Sequence, residues 1–329
     1  MRFLIIRLDG LGDTVLSTPL LRALRDGFPG CHIACVASPV GAACLETHPG
    51  VDDLLVVSPR TSTLGEKLAL GRRLYRGRYD VAITITEKAW GLLWAWMSRA
   101  PRRIGFWAGS TQPVKALLFG PTLTDRIPSP NDPRVPSHLH EVERHMRLLE
   151  PLGVNAPPGP AWMLPPLTPD RTDRVVLHLS TKWMTQGWTQ SWLEDVAQSL
   201  SQASEGRLLL TAGAEDGAWA EEFASRIANC GPQVLFGTRF DAWTAALASS
   251  RVLVSMDTGA VHVAAALGLP VVDVFARAGA EHVVPRWKPW QVAHEVVLRG
   301  RGDDHAETSR VRDEIVTKAL ALRDSLHVG

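Results

Sequence analysis

The sequence predicts an α/β protein of two domains, each built on a parallel sheet. Three observations carry this prediction. Apolar segments of strand length alternate with helical segments, the alternation breaks at one proline-rich stretch and then resumes, and 329 residues are enough for two cores. Residues 3–8 open the chain as a nearly continuous apolar run, interrupted only by Arg7, as expected of a strand buried on both faces. Further strands are expected at 32–37, 53–57, 81–85 and 103–106. Helices are expected at 14–28, 40–47, 64–76, 89–98 and 140–152, the last stopped by Gly153. The helix at 89–98 carries Trp90, Trp94 and Trp96 and reads as buried or half-buried. Residues 127–138 are proline-rich and read as a mobile loop.

Pro157, Pro158, Pro160, Pro165, Pro166 and Pro169 give 157–170 the composition of a linker. Beyond it, strands are expected at 175–179, 207–212, 234–236, 252–255 and 271–275, and helices at 191–203, 217–229, 241–249 and 259–267. A charged helix follows from 308. The expected boundaries are a first domain at 1–156, the linker, a second domain at 171–307 and a terminal helix at 308–329 that packs back on the first domain. Strand–helix–strand units imply right-handed crossovers, and two such domains suggest a cleft between facing sheets.

A net charge of +1 offers no global basic field, which argues against nucleic acid as a partner. The four cysteines form no Cys-x-x-Cys pair and no zinc spacing, so free thiols in a reducing compartment are expected. The first strand lacks the basic flank and long apolar core of a signal peptide, and no uncharged stretch reaches the ~20 residues of a membrane helix. A cytoplasmic protein is the expectation. Twelve tryptophans against two tyrosines is a skew that suits core, sugar or interface surfaces.

Two segments carry chemistry. After the first strand comes Asp9-Gly10-Leu11-Gly12, then Asp13 at the start of a helical pattern. A carboxylate at the carboxyl end of a first strand lies where open α/β sheets bind ligands. Asp at a helix start is also a good N-cap, worth ~1 kcal/mol. Both readings stand on this segment alone. The second segment, residues 252–270, is a strand, a tight turn with Asp257, Thr258 and Gly259, and an alanine-rich helix bearing His262 in its first turn. Exposed N–H groups and the positive end of a helix dipole make such a turn an anion site. The alternatives are a capping Asp257 or Thr258 and a packed core histidine. Ser180, Thr181 and Lys182 follow the first strand of the same domain and suit phosphate, or form an ordinary polar loop.

These segments together resemble glycosyltransferase family 9, the ADP-heptose lipopolysaccharide heptosyltransferases. The resemblance rests on Arg7-Leu8 with Gly12-Asp13, and on Asp257-Thr258-Gly259 with His262, the alanine-rich helix and Gly268-Leu269-Pro270. Residues 102–106 and the helix at 140–153 support it. It implies a GT-B fold of two Rossmann-like domains and metal-independent, inverting transfer from a nucleotide sugar, with no cofactor. By position, Asp13 would be the general base. Ser180, Thr181, Asp257, Thr258, Gly259 and His262 would hold the donor, with Glu215 or Asp216 in contact with it. The family's lysine two residues before a tryptophan is Gln186 here, and Lys182 or Arg277 would have to supply the missing charge. Gly12, Arg60, Arg72, Arg102 and Arg103, with Lys67, Arg73 and Lys88, are candidates for meeting an anionic glycan or glycolipid acceptor, and peripheral membrane contact is compatible with such a partner. A carboxylate opposite a diphosphate site has chemical work available, which favours the catalytic reading of Asp13. A non-catalytic nucleotide-sugar-binding protein and a GT-B epimerase are the alternatives.

Overall fold

A computed structural model describes residues 1–107, 113–129, 131–163 and 171–325. The chain divides into two compact units, Met1–Leu164 and Pro165–Gly329. Of the expected linker, residues 164–170 lie outside the described residues. Residues 161–163 are docked on the first unit: Ala161 and Met163 are buried, and the Trp162 amide donates to Thr18 Oγ1 at 2.7 Å.

In the first unit the elements are β1 (Arg2–Arg7), α1 (Leu11–Val15), α2 (Thr18–Gly27), β2 (His32–Ala37), α3 (Pro39–Ala42), β3 (Asp53–Val56), α4 (Leu64–Arg76), β4 (Val81–Thr84), α5 (Ala89–Met97), β5 (Arg102–Trp107), α6 (Pro113–Phe119), β6 (Asp125–Pro128) and α7 (Glu141–Met146). All described pairings are parallel, in the order β3-β2-β1-β4-β5-β6. β1 is central, its Phe3–Ile6 stretch fully or nearly fully buried, which is why it lacks strand alternation. The single helix expected at 14–28 is two. Pro19 has no N–H to donate to the Val15 carbonyl, and Thr18 Oγ1 takes that acceptor instead at 2.7 Å. α4 begins with a reciprocal cap, Glu66 N–H to Thr63 Oγ1 at 3.2 Å and Thr63 N–H to Glu66 Oε2 at 2.7 Å.

The expected mobile loop at 127–138 begins as β6 instead. Past residue 130, which is outside the described residues, Asp132 is buried and takes both Arg134 Nε at 2.8 Å and an Arg134 terminal nitrogen at 2.7 Å. α5 buries Leu92, Trp94 and Ala95 and leaves Trp96 exposed.

The second unit contains β7 (Val175–Leu179), α8 (Gln190–Ala203), β8 (Leu208–Ala212), α9 (Gly217–Arg226), β9 (Gln233–Leu235), α10 (Phe240–Ala248), β10 (Val252–Met256), α11 (Gly259–Ala266), β11 (Val271–Ala276), α12 (Ala280–Trp287), β12 (His294–Arg299) and α13 (His305–Ser325). Its sheet is also parallel, in the order β12-β11-β10-β7-β8-β9. The terminal helix, α13, forms part of the second unit's core. Its apolar residues Val311, Ile315, Ala319 and Leu322 recur at helical spacing and are buried in the second unit's core with Leu193, Val196 and Val297. No helix of the described residues is long and apolar enough to cross a membrane.

Both strand orders reverse direction at the unit's first strand, between β1 and β4 and between β7 and β10. Such switch points open a crevice at the carboxyl ends of the strands. Removing part of the α13 core face tests its assignment. Ile315→Ala should cost about 2–5 kcal/mol in chemical denaturation, whereas Thr317→Ala on the exposed face should stay within about 0.5 kcal/mol.

Candidate active site

At the first switch point the polar groups following β1 and β4 are tied together by one buried cation. The Arg7 guanidinium, its side chain 7% exposed, donates to the Ile85 carbonyl at 3.2 Å and to Asp13 Oδ1 at 2.8 Å, and lies 3.4 Å from Asp9 Oδ2. Lys88 Nζ closes the group from the β4 side, at 2.9 Å from Asp9 Oδ1 and 2.6 Å from the Leu8 carbonyl. Burial opposes ionisation of Asp9, but Arg7, Lys88 and Thr86 outweigh it and hold its carboxyl below the ordinary value.

Asp13 is not the N-cap. Gly10 occupies that position, and Asp13 stands at the third residue of α1, where Oδ2 accepts the Gly10 amide at 3.2 Å. Each oxygen of Asp13 therefore has one fixed donor, and the side chain keeps 32% of its surface accessible. A carboxylate oriented in this way and still open to solvent has lone pairs left to accept a proton. Capping and chemistry are compatible here. Asp9 and Lys88 complete the group: Lys88 was visible as a candidate acceptor cation, whereas Asp9 read as a loop residue until the strand order placed it beside Lys88.

The acceptor-side arginines divide. Arg102 and Arg103 start β5, at the amino end of the sheet, opposite the edge that carries Asp13. Arg102 bonds Asp125 Oδ1 at 2.8 Å and the Pro151 carbonyl at 2.9 Å; Arg103 bonds the Thr122 and Ala100 carbonyls, each at 2.7 Å. These contacts fasten β5 to its surroundings, away from the edge that carries Asp13. Arg60 and Arg72 are exposed, on the loop before α4 and on α4 itself, and Gly12 is buried within α1.

At the second switch point Ser180, Thr181 and Lys182 follow β7, Glu215 and Asp216 follow β8, and Asp257, Thr258 and Gly259 follow β10. Lys182 Nζ reaches across the switch to the Asp257 carbonyl at 3.5 Å. Thr181 Oγ1 donates to Asp216 Oδ1 at 2.9 Å, so the buried Asp216 joins the cluster while Glu215 stays exposed. Thr258 is the N-cap of α11 by position, yet its hydroxyl pairs with Ser255 Oγ at 3.1 Å and does not cap the helix. The first turn of α11 is left as a dipole end facing the strand termini. His262 is buried in that turn, its ring 6.2 Å from the Trp287 ring.

Burial disfavours charge on two groups behind this edge. Burial pushes His178 down to about 4, with Asp216 opposing. Burial, and then the charge of Asp257, push Asp273 well above the carboxylate range. Arg277, one candidate for the charge missing at Gln186, is engaged elsewhere, at 2.9 Å from Glu307 Oε1. Lys182 is a cation at this switch point. Among the described residues no group of three or more His, Cys, Asp or Glu is arranged to hold a metal ion.

The model of glycosyltransferase family 9 (heptosyltransferase) matches residues 67–314. The chain belongs to glycosyltransferase family 9. It is a glycosyltransferase, and its fold is GT-B. It is similar to lipopolysaccharide heptosyltransferase 3 of Escherichia coli K12, 24% identical over 301 residues covering 85% of this chain and 82% of the relative. It is also similar to lipopolysaccharide heptosyltransferase 1 of Pseudomonas aeruginosa PAO1, 27% identical over 294 residues, 84% of this chain and 78% of that one. Among solved structures, E. coli ADP-heptose lipopolysaccharide heptosyltransferase II superposes with a TM-score of 0.79 at 19% identity, covering both chains completely.

His178 gives this glycosyltransferase a defined acid sensitivity. The unfolded imidazole takes a proton near 6.5 and the folded one only near 4, so between these values the unfolded state binds more protons and stability falls as pH falls. Thermal unfolding from pH 7 to 4 should show a loss of up to about 3 kcal/mol that His178→Gln, which keeps a partner for Thr211, does not show.

Proposed function

We propose that this enzyme moves a heptose from ADP-heptose to a hydroxyl of a lipopolysaccharide-core acceptor, by a single inverting displacement that needs no metal. The observation that carries the reading is Asp13: a carboxylate aimed by Arg7 and the Gly10 amide, solvent-accessible, at the switch point of the first sheet. The names of the similar proteins supply the donor and acceptor class. In this reading the first unit contributes the acceptor half-site and the second unit the donor half-site.

The acceptor hydroxyl gives its proton to Asp13 as its oxygen bonds the anomeric carbon. The bond from that carbon to the diphosphate oxygen breaks, and the electron pair leaves with ADP. Arg7 keeps the carboxylate oriented through this step. Charge on the departing diphosphate is met by the first turn of α11, by the Ser180 hydroxyl, whose proton is not engaged where its oxygen accepts the Lys182 amide, and by Lys182, which takes over the charge that Gln186 does not provide. A cytoplasmic enzyme working at the inner face of the membrane follows from a lipid-linked acceptor. The neutral Gln186 favours a second reading, nucleotide-sugar binding without transfer, and acceptor-dependent release of ADP separates the two.

Asp13→Asn should lower transfer by about 100- to 10,000-fold while calorimetry still detects ADP binding. Near-normal turnover would remove Asp13 from the role of base. Lys182→Met should weaken ADP by about tenfold or more, adding Gln186→Lys should restore much of the loss, and Arg277→Met should leave ADP affinity as it is. Equal losses from Lys182→Met and Arg277→Met would contradict the assignment of the cation.

A further inference from the structure

Arg299 ends β12 and is 1% exposed. One terminal nitrogen of its guanidinium donates to the Thr185 carbonyl at 3.0 Å and the other to the Thr185 hydroxyl. Its Cζ lies 5.6 Å from the centre of the Trp188 ring. Nε is buried without a partner, and no carboxylate among the described residues pairs with the cation. Burial lowers its pKa to about 10, still far above neutral, so the charge is retained. A buried cation without a counter-ion is costly. Its planar fork is spent on one residue of the segment 181–187, which carries Thr181, Lys182 and Gln186.

The chain just after Arg299 grips the same segment. Trp188 Nε1 donates to the Gly300 carbonyl at 2.8 Å, and the Gly302 amide donates to the Gln186 carbonyl at 3.0 Å. Gly302 lies so close that a Cβ there would sit 2.7 Å from the Trp188 nitrogen. Between these fastenings Gln186 adopts φ +58°, a left-handed conformation that a residue with a side chain holds only when its surroundings impose it. The start of the segment is fixed separately, where Ser180 Oγ accepts the Lys182 amide at 3.3 Å.

We propose that Arg299 is a positioning residue of the donor half-site: its fork on Thr185, braced by Gly300 and Gly302, fixes the segment that presents Lys182 and Gln186 to the diphosphate of a nucleotide. The inference rests on the donor-binding reading of the second unit. It acts through geometry, so charge alone does not replace it. A lysine at 299 keeps the charge but presents one strongly hydrated ammonium, which cannot reproduce a planar two-point grip or the stacking on Trp188.

The test is calorimetric titration of the full chain with ADP, alongside donor kinetics, for the wild type, Arg299→Lys, Thr185→Val and the double variant. Circular dichroism and thermal unfolding confirm that each is folded. Arg299→Lys should weaken ADP by about tenfold, and the donor KM should rise by more than kcat falls. Thr185→Val should weaken ADP less, and the double variant should bind no worse than Arg299→Lys alone, because both remove one shared contact. A role limited to stability would lower the unfolding temperature and the active fraction while folded molecules kept wild-type ADP affinity and KM; that result overturns the proposal. Wild-type protein that binds no ADP overturns the donor reading and the proposal with it, whereas wild-type binding matched by Arg299→Lys overturns the positioning role alone.

Discussion

The reversal of strand order at β1 and again at β7 is the constraint on which the rest of this molecule depends. A parallel sheet ends every strand at one edge, and helices starting there leave amides and dipole ends pointing outward. Where the order reverses, neighbouring connections leave in opposite directions and nothing covers the strand ends. The chemistry-bearing groups gather at these two places: Asp9, Asp13 and Lys88 in the first unit, and Lys182, Asp216 and Asp257 in the second. Arg102 and Arg103 show the converse. At the amino end of β5 their guanidinium groups serve as fasteners.

The two edges treat charge differently. In the first unit charges are compensated locally: Arg7 stands between two carboxylates, and Lys88 returns a positive charge to Asp9. Removing a carboxylate partner would leave the buried charge of Arg7 less compensated. In the second unit burial disfavours charge on the titratable groups behind the edge, His178 and Asp273. The cations there include Lys182, at the switch point, and Arg299, behind the segment that carries it. An anion arriving at the first turn of α11 meets the Lys182 ammonium there.

Much of this was legible in the sequence. The apolar run at 3–8 and the segment 252–270 predicted both central strands and the turns after them, because buried parallel strands need continuous apolar sequence and close-packed helices need small residues. The misses have physical reasons. β6 places one buried side chain, Ile127, among polar residues at a sheet edge, and β12 has a single neighbour, so neither needs a strong apolar pattern. The split between α1 and α2 depended on Pro19, and the position of Asp13 relative to its cap on a Gly10 amide that no periodicity reveals. Arg299 is invisible as a functional residue in sequence: its partners, Thr185 and Trp188, lie more than a hundred positions away.

The central claim is that this chain catalyses one direct displacement at a sugar anomeric carbon, with the carboxylate held by Arg7 as base. The most direct measurement is nuclear magnetic resonance of the product formed from ADP-heptose and a heptose-deficient lipopolysaccharide-core acceptor, with released ADP quantified in the same reaction. The account predicts acceptor-dependent ADP release, one ADP per new linkage, and a product whose anomeric configuration is inverted relative to the donor. Retained configuration, or ADP release that ignores the acceptor, would contradict it.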